Sequence, residues 1–154
     1  MGLDGKLVSQ ISIKADGGLF FHLFKYKLHH TMNICPQKIQ TLNLVDGQWG
    51  TVGSVITSNF TADGEKFVAK VVIEAVDEEK RSITYKVIEG DLMVAYNTFK
   101  VTFCVDSKGE LDNVVTWTIE YEKKNESVPE PSKFLDFCSN ATQEIERHYM
   151  LLPN

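Results

Sequence analysis

The chain has 154 residues, 43% of them hydrophobic and 24% charged, a balance that excludes a disordered or fibrous polymer and suits one globular domain spanning residues 1–154. A net charge of -5 with a pI near 5.4 argues against nucleic acid as a partner, because binding a phosphate backbone depends on clustered lysine and arginine. The sequence has no apolar run of about 18 residues and no charged leader followed by an apolar core, so the expected address is cytoplasmic, without membrane insertion.

The first segment, Lys6 to Ile13, has strand-like composition. Asp16-Gly17-Gly18 breaks it, and Asp16 is placed to cap a short helix carrying Leu19, Phe20, Leu23 and Phe24. Met1-Gly2 opens like a myristoylation signal, but Lys6 stands where that pattern needs serine or threonine. A second short helical piece is expected from about His29 to Ile34, ending at Cys35 because Pro36 disfavours helical geometry there.

From Ile39 to Tyr121 the pattern changes to short runs rich in Val, Ile, Thr, Phe and Tyr. They are separated by turn signals at Asp46-Gly47, Asp63-Gly64, Asp77 to Lys80, Glu89-Gly90-Asp91 and Ser107-Lys108-Gly109, the pattern of an antiparallel meander. The first of these, Asp46 to Ser54, holds Gly47, Gly50 and Gly53 and superficially suggests a phosphate cradle. A phosphate loop needs a lysine after its last glycine and a helix beyond; here Ser54 follows, and Val55-Ile56-Thr57 continues as strand. The segment therefore reads as a turn between the second and third strands.

Alternation along the strands puts one apolar, aromatic face on the sheet. Phe99, Val101, Phe103 and Val105 oppose Lys100, Thr102 and Cys104; Val115, Trp117, Ile119 and Tyr121 oppose Thr116, Thr118 and Glu120; Ile83, Tyr85 and Val87 oppose Ser82, Thr84 and Lys86. Between Lys66 and Glu74, Ala69, Val71 and Ile73 join the apolar face while Lys70 and Glu74 point to water. Lys123 to Pro131 reads as a connection. It leads to one long helical pattern, roughly Ser132 to Leu151, with Pro153 ending it and Phe134, Cys138, Ala141, Ile145 and His148 or Tyr149 forming an apolar stripe. The fold class that follows is α+β, a curved antiparallel sheet with a long carboxy-terminal helix across its apolar face.

Candidate reactive residues are scattered. His29 and His30 do not share a helix face, His22 and His148 have no carboxylate at ligand spacing, and no metal or other cofactor is assigned. Cys35, Cys104 and Cys138 lack metal-ligand spacing and read as reduced thiols, with Cys138 a small residue of the apolar stripe rather than a nucleophile. The sequons at Asn59, Asn125 and Asn140 carry little without a secretory route. The runs Asp77 to Arg81 and Glu120 to Glu126 mix both signs and read as solvated turns or strand ends.

Element order and three motifs resemble the major latex protein and ripening-related branch of the birch-pollen-allergen superfamily of plants. The motifs are Gly47 to Ser54, Val87-Ile88-Glu89-Gly90-Asp91-Leu92-Met93, and Val115 to Lys123. The resemblance implies a seven-stranded sheet gripping the last helix, two short helices in a V, and a large internal cavity for an apolar small molecule such as a lipid, sterol, hormone or terpenoid. Some relatives catalyse cyclisation or isomerisation. On that basis Leu23, Phe60, Val71, Ile83, Tyr85, Val87, Phe99, Val101, Val115 and Trp117 would line the cavity. Phe134, Cys138, Ala141 and Ile145 would close it from the helix, and Trp49 and Gly50 would lie at its entrance.

Two readings of the aromatic face stay open on the residues alone. It is either a filled core between sheet and helix or the wall of a cavity, since both bury the same side chains. In the second case Tyr85 is the foremost polar handle, because a buried phenol needs a hydrogen-bond partner that a ligand can supply. The functional expectation is binding and carriage of a hydrophobic plant metabolite, linked to defence or stress; the alternative is an isomerase or cyclase using Tyr85 and the histidines as acid–base groups.

Overall fold

The computed structural model describes residues 2–109 and 112–150. In chain order the elements are β1 (Asp4–Ile13), α1 (Gly17–Tyr26), a 3-10 turn (Leu28–His30), α2 (Thr31–Ile34), β2 (Ile39–Asp46), β3 (Val55–Ala62), β4 (Glu65–Asp77), β5 (Ser82–Gly90), α3 (Leu92–Ala95), β6 (Tyr96–Gly109), β7 (Asp112–Lys123) and α4 (Ser132–Met150). Among the described residues seven strands form one antiparallel sheet in the order β1-β7-β6-β5-β4-β3-β2. The strands from β2 to β7 are a meander of consecutive neighbours. β1 departs at its end through the short helices and pairs with β7 at the far edge.

The start of α1 and the end of α2 each have a local cause. Asp16 holds an extended backbone and its carboxylate accepts from the Leu19 amide at 2.9 Å, capping α1. Phe20, Phe21, Leu23 and Phe24 are all buried, so α1 is covered on more than one side. α2 stops at Cys35, whose φ of -131° and ψ of 67° are the extended-side geometry that Pro36 imposes on its predecessor. α4 carries the stripe Cys138, Ala141 and Ile145 as buried residues, with Thr142 buried beside them and His148 exposed. Its expected end at Leu151 and Pro153 lies outside the described residues.

The central strands keep the expected alternation. Phe99, Val101, Phe103 and Val105 are buried on β6, opposite Tyr121, Ile119, Trp117 and Val115 on β7. Three details differ from the sequence reading. Ser107-Lys108-Gly109 is not a turn but the end of β6, pairing on to Asn113 and Asp112 past a register shift; polar residues stay in the ladder because the backbone hydrogen bonds to β7 continue. On β4 a bulge between Ile73 and Ala75 breaks the alternation, leaving Ala75 exposed and Val76 half-buried. After Glu89-Gly90 the chain makes the additional turn α3, steadied by the Asp91 carboxylate accepting from the Val68 amide at 2.6 Å.

The glycine-rich loop connects β2 and β3 and folds back on itself. The Ser54 hydroxyl accepts from the Gln48 amide at 2.9 Å and donates to the Gln48 carbonyl at 2.6 Å. Gly50 has φ +82° and is buried, and a Cβ there would meet the Lys25 carbonyl at 2.9 Å, so the loop lies directly on the end of α1. Lys25, buried itself, reaches past this contact to pair with Glu78 in the β4–β5 turn.

Candidate functional site

α4 is fixed to the sheet and to the turn before β2 by polar contacts along its length. Ser139 bonds Ser9 of β1 at 2.8 Å, Glu144 accepts from Lys38 at 2.8 Å, and Thr142 accepts from the Trp117 indole at 2.7 Å while donating to the Cys138 carbonyl at 2.7 Å. Between these tethers bulky rings hold the helix off the strands. At one end Phe60, Phe67, Phe134 and Phe137 cluster with ring centroids 5.2–5.8 Å apart. At the other, Phe24 of α1 stacks on Phe103 at 4.2 Å and meets Trp117 edge-on at 5.7 Å.

The space between the two aromatic clusters is a cavity of about 150 Å³. Phe60, Val71, Tyr85, Val87, Val101 and Trp117 line it from the sheet, and Phe134, Cys138, Ala141 and Ile145 from α4. Leu23, Ile83, Phe99 and Val115, expected in the same wall, are buried elsewhere. Ile83 pairs with Phe103 and Val115 with Val105, at the end of the sheet that α1 covers through Phe20 and Phe24. Phe99 is capped by Tyr96 at 5.2 Å and Phe134 at 5.4 Å.

The remaining wall was not anticipated from sequence. Phe24, Leu28 and Thr31 form it from the short helices, Ile39 and Leu42 from β2, Ser58 and Ala69 from the paired positions of β3 and β4, and Leu92 from α3. Phe137 also lines it; its four-residue steps to Ala141 and Ile145 were a usable signal. Ser58 shares the alternating face of Ile56 and Phe60, which would have found it. Leu28 and Thr31 belong to a 3-10 turn and a single helical turn, too short to show a period.

Two polar side chains of this lining, Thr31 and Trp117, are satisfied within the protein. The Thr31 hydroxyl donates to the Leu28 carbonyl at 2.6 Å, and the Trp117 indole is bonded as above. Tyr85 differs: its ring is buried and its hydroxyl reaches only the Phe24 carbonyl, at a long 3.4 Å. Burial pushes its phenol pKa up, so it is a neutral donor with spare acceptor capacity. Burial likewise raises the Cys138 thiol, which leaves it protonated and a poor nucleophile.

Trp49 and Gly50 do not line the cavity. The Trp49 ring stacks on His29 at 4.4 Å, and His30 meets His29 edge-on at 4.5 Å, which braces the glycine-rich loop against the 3-10 turn that supplies Leu28 to the wall. His29 Nδ1 is buried without a partner, and burial, then the neighbouring His30, lower the His29 pKa below its ordinary 6.5. The unfolded chain therefore binds the proton more readily, so stability is full above about pH 6.5 and falls as pH drops through the folded value. Melting temperatures measured from about pH 7.5 down to 5 are expected to decline, and His29→Gln is expected to flatten that decline. His22 and His148 are exposed, and no histidine lines the cavity. Among the described residues no group of three or more His, Cys, Asp or Glu side chains is placed to hold a metal ion, and no helix is long and apolar enough to cross a membrane.

Comparison with known proteins places this architecture. A sequence model of the pathogenesis-related protein Bet v 1 family matches residues 2–152. MLP-like protein 31 of Arabidopsis thaliana is 46% identical over 96% of this chain and 87% of its own length. MLP-like protein 34 of the same plant is also 46% identical, but the chain spans only 47% of its length. The crystal structure of ginseng major latex-like protein 151 from Panax ginseng is 47% identical, with a TM-score of 0.93 over 99% of this chain and 100% of that one. Norcoclaurine synthase from Thalictrum flavum, in complex with dopamine and hydroxybenzaldehyde, has a TM-score of 0.81 over 98% of this chain and 89% of that one; at 20% identity the likeness concerns the fold alone.

Proposed function

The chain belongs to the Bet v 1 family, in its major latex protein branch, and from its apolar chamber we propose that it binds a small hydrophobic metabolite between the sheet and α4. The observation that carries the reading is the cavity itself. Unfilled core volume costs about 24 cal/mol per Å³, so about 150 Å³ corresponds to roughly 3.6 kcal/mol of forgone stability. A ligand at about a hundred times its dissociation constant returns about 2.7 kcal/mol to the folded state, most of that cost.

Size and chemistry narrow the ligand. An apolar cavity of this volume accepts a single aromatic ring such as benzene, so the inner chamber suits a one-ring or similarly compact apolar body. The Tyr85 hydroxyl adds one directional contact, bonding a ligand oxygen in place of its long bond to the Phe24 carbonyl.

Binding is tested by thermal shift and calorimetry with phenol, toluene and compact monoterpenoid alcohols. Raised melting temperatures are expected, and a flat response to the whole panel would remove the proposal. Tyr85→Phe should weaken phenol by roughly threefold to tenfold, the value of about 0.5–1.5 kcal/mol for one hydrogen bond, while leaving toluene unchanged. Equal loss for both probes would mean that the hydroxyl shapes the wall rather than bonding the ligand.

A further inference from the structure

A second, polar hollow of about 470 Å³ adjoins the apolar cavity, and Phe137 lines both. Its walls are Lys38, Thr61 to Asp63 at the end of β3, and Lys133, Asp136 and Asn140 on the outer side of α4. We propose that this hollow is a head-group subsite: the ligand is an amphiphile whose compact apolar body passes Phe137 into the cavity while an uncharged, hydroxyl-rich head, such as a glycosyl group, stays outside. The proposal rests on binding in the apolar chamber and adds the chemistry of the other half of the ligand.

Two observations favour this head over a charged one. The two ammonium groups are already matched, Lys38 with Glu144 at 2.8 Å and Lys133 with Asp63 at 3.0 Å. Asp136 contributes a further carboxylate to the same wall. An entering carboxylate or phosphate would therefore have to part an ion pair and face Asp136, and an entering cation would meet the two lysines. A hydroxyl group does neither, because it donates to a carboxylate and accepts from an ammonium or from the Asn140 amide without separating charges. Phe137 is only half-buried and is the ring shared by both walls, flanked by Phe60 at 5.2 Å and Phe134 at 5.8 Å, which makes it the side chain a ligand spanning the two spaces would pass.

Calorimetry with phenol, phenyl β-D-glucopyranoside and phenyl phosphate tests the assignment on the unaltered protein, and then on Asp136→Ala and Asn140→Ala, both exposed positions on α4. The glucoside is expected to bind at least about tenfold tighter than phenol and tighter than the phosphate, with each variant lowering glucoside affinity about threefold to tenfold and leaving phenol unchanged. Equal affinity for phenol and glucoside, or variants that leave the glucoside unaffected, would overturn the subsite while the apolar chamber stands as a binding site. A phosphate that outbinds the glucoside would overturn the uncharged head. Failure of all three probes to bind would remove the chamber reading and the subsite with it. Stopped-flow association on Phe137→Ala should be several-fold faster, and unchanged rates would place entry elsewhere.

Discussion

Replacing Ala141 by leucine is expected to abolish uptake of one-ring ligands, lowering affinity by about a hundredfold or more, while stability holds or rises. Ala141 is buried on α4 with its methyl group in the cavity wall, facing the sheet side formed by Tyr85, Val101 and Trp117. The added carbons enter open space instead of packed atoms. Each buried methylene contributes about 0.8 kcal/mol, and the cavity term shrinks as the space is filled. Ala15 is the control: it is equally buried but lies outside the cavity, so Ala15→Leu is expected to overpack its surroundings and cost about 1–3 kcal/mol. Urea titration and calorimetry on the two variants separate the outcomes. Wild-type affinity in Ala141→Leu would show that ligand does not occupy this chamber.

That test depends on a chamber whose two halves differed in how far they could be read from sequence. β6 and β7 are interior strands of the sheet with one face covered, so Phe99 to Val105 and Val115 to Tyr121 alternate without interruption and declare their inward side. The stripe on α4 is as plain, because a helix with one buried face repeats at three and four residues. Val101, Trp117, Cys138, Ala141 and Ile145 come from these two patterns, Tyr85 and Val87 from the same alternation on β5, and all reach the cavity.

The opposite wall followed no period. Leu28, Thr31, Ile39 and Leu42 come from a stretch where a 3-10 turn, a single helical turn and an irregular edge strand succeed one another. Their inward placement is decided by what packs on them, as the His29–Trp49 stack shows by joining residues twenty positions apart in sequence. Similarly, Ile83 and Val115 have the same local pattern as Tyr85 and Trp117 yet lie outside the wall, towards the end of the sheet where the α1 rings pack on Phe103. Alternation establishes a face, whereas a cavity depends on which part of the face another element leaves uncovered. Even the glycine-rich loop, legible as a turn, shows its use only in tertiary contact: Gly50 lets it lie on Lys25.

The largest loss of stability is expected from Phe103→Ala, because this ring joins the two elements that bound the chamber. Phe103 is fully buried on β6, stacks on Phe24 at 4.2 Å, and lies 5.1 Å from Trp117 and 6.3 Å from Phe20. Truncating a buried phenylalanine costs about 3–5 kcal/mol, of which the aromatic contacts account for a part beyond burial. For a chain of 154 residues that corresponds to a fall in melting temperature of roughly 6–20 °C. The functional consequence runs the other way. Phe24 and Trp117 line the cavity and both lean on Phe103, so removing its ring opens volume directly behind the wall. Two-ring ligands such as naphthalene, too large for about 150 Å³, should then bind and restore part of the lost stability. Phe103→Leu, which keeps most of the volume, should lose far less stability and gain no such ligand. A destabilised Phe103→Ala protein that naphthalene fails to rescue would show that the space collapses, and that the α1 aromatic cluster supports the fold without setting the size of the chamber.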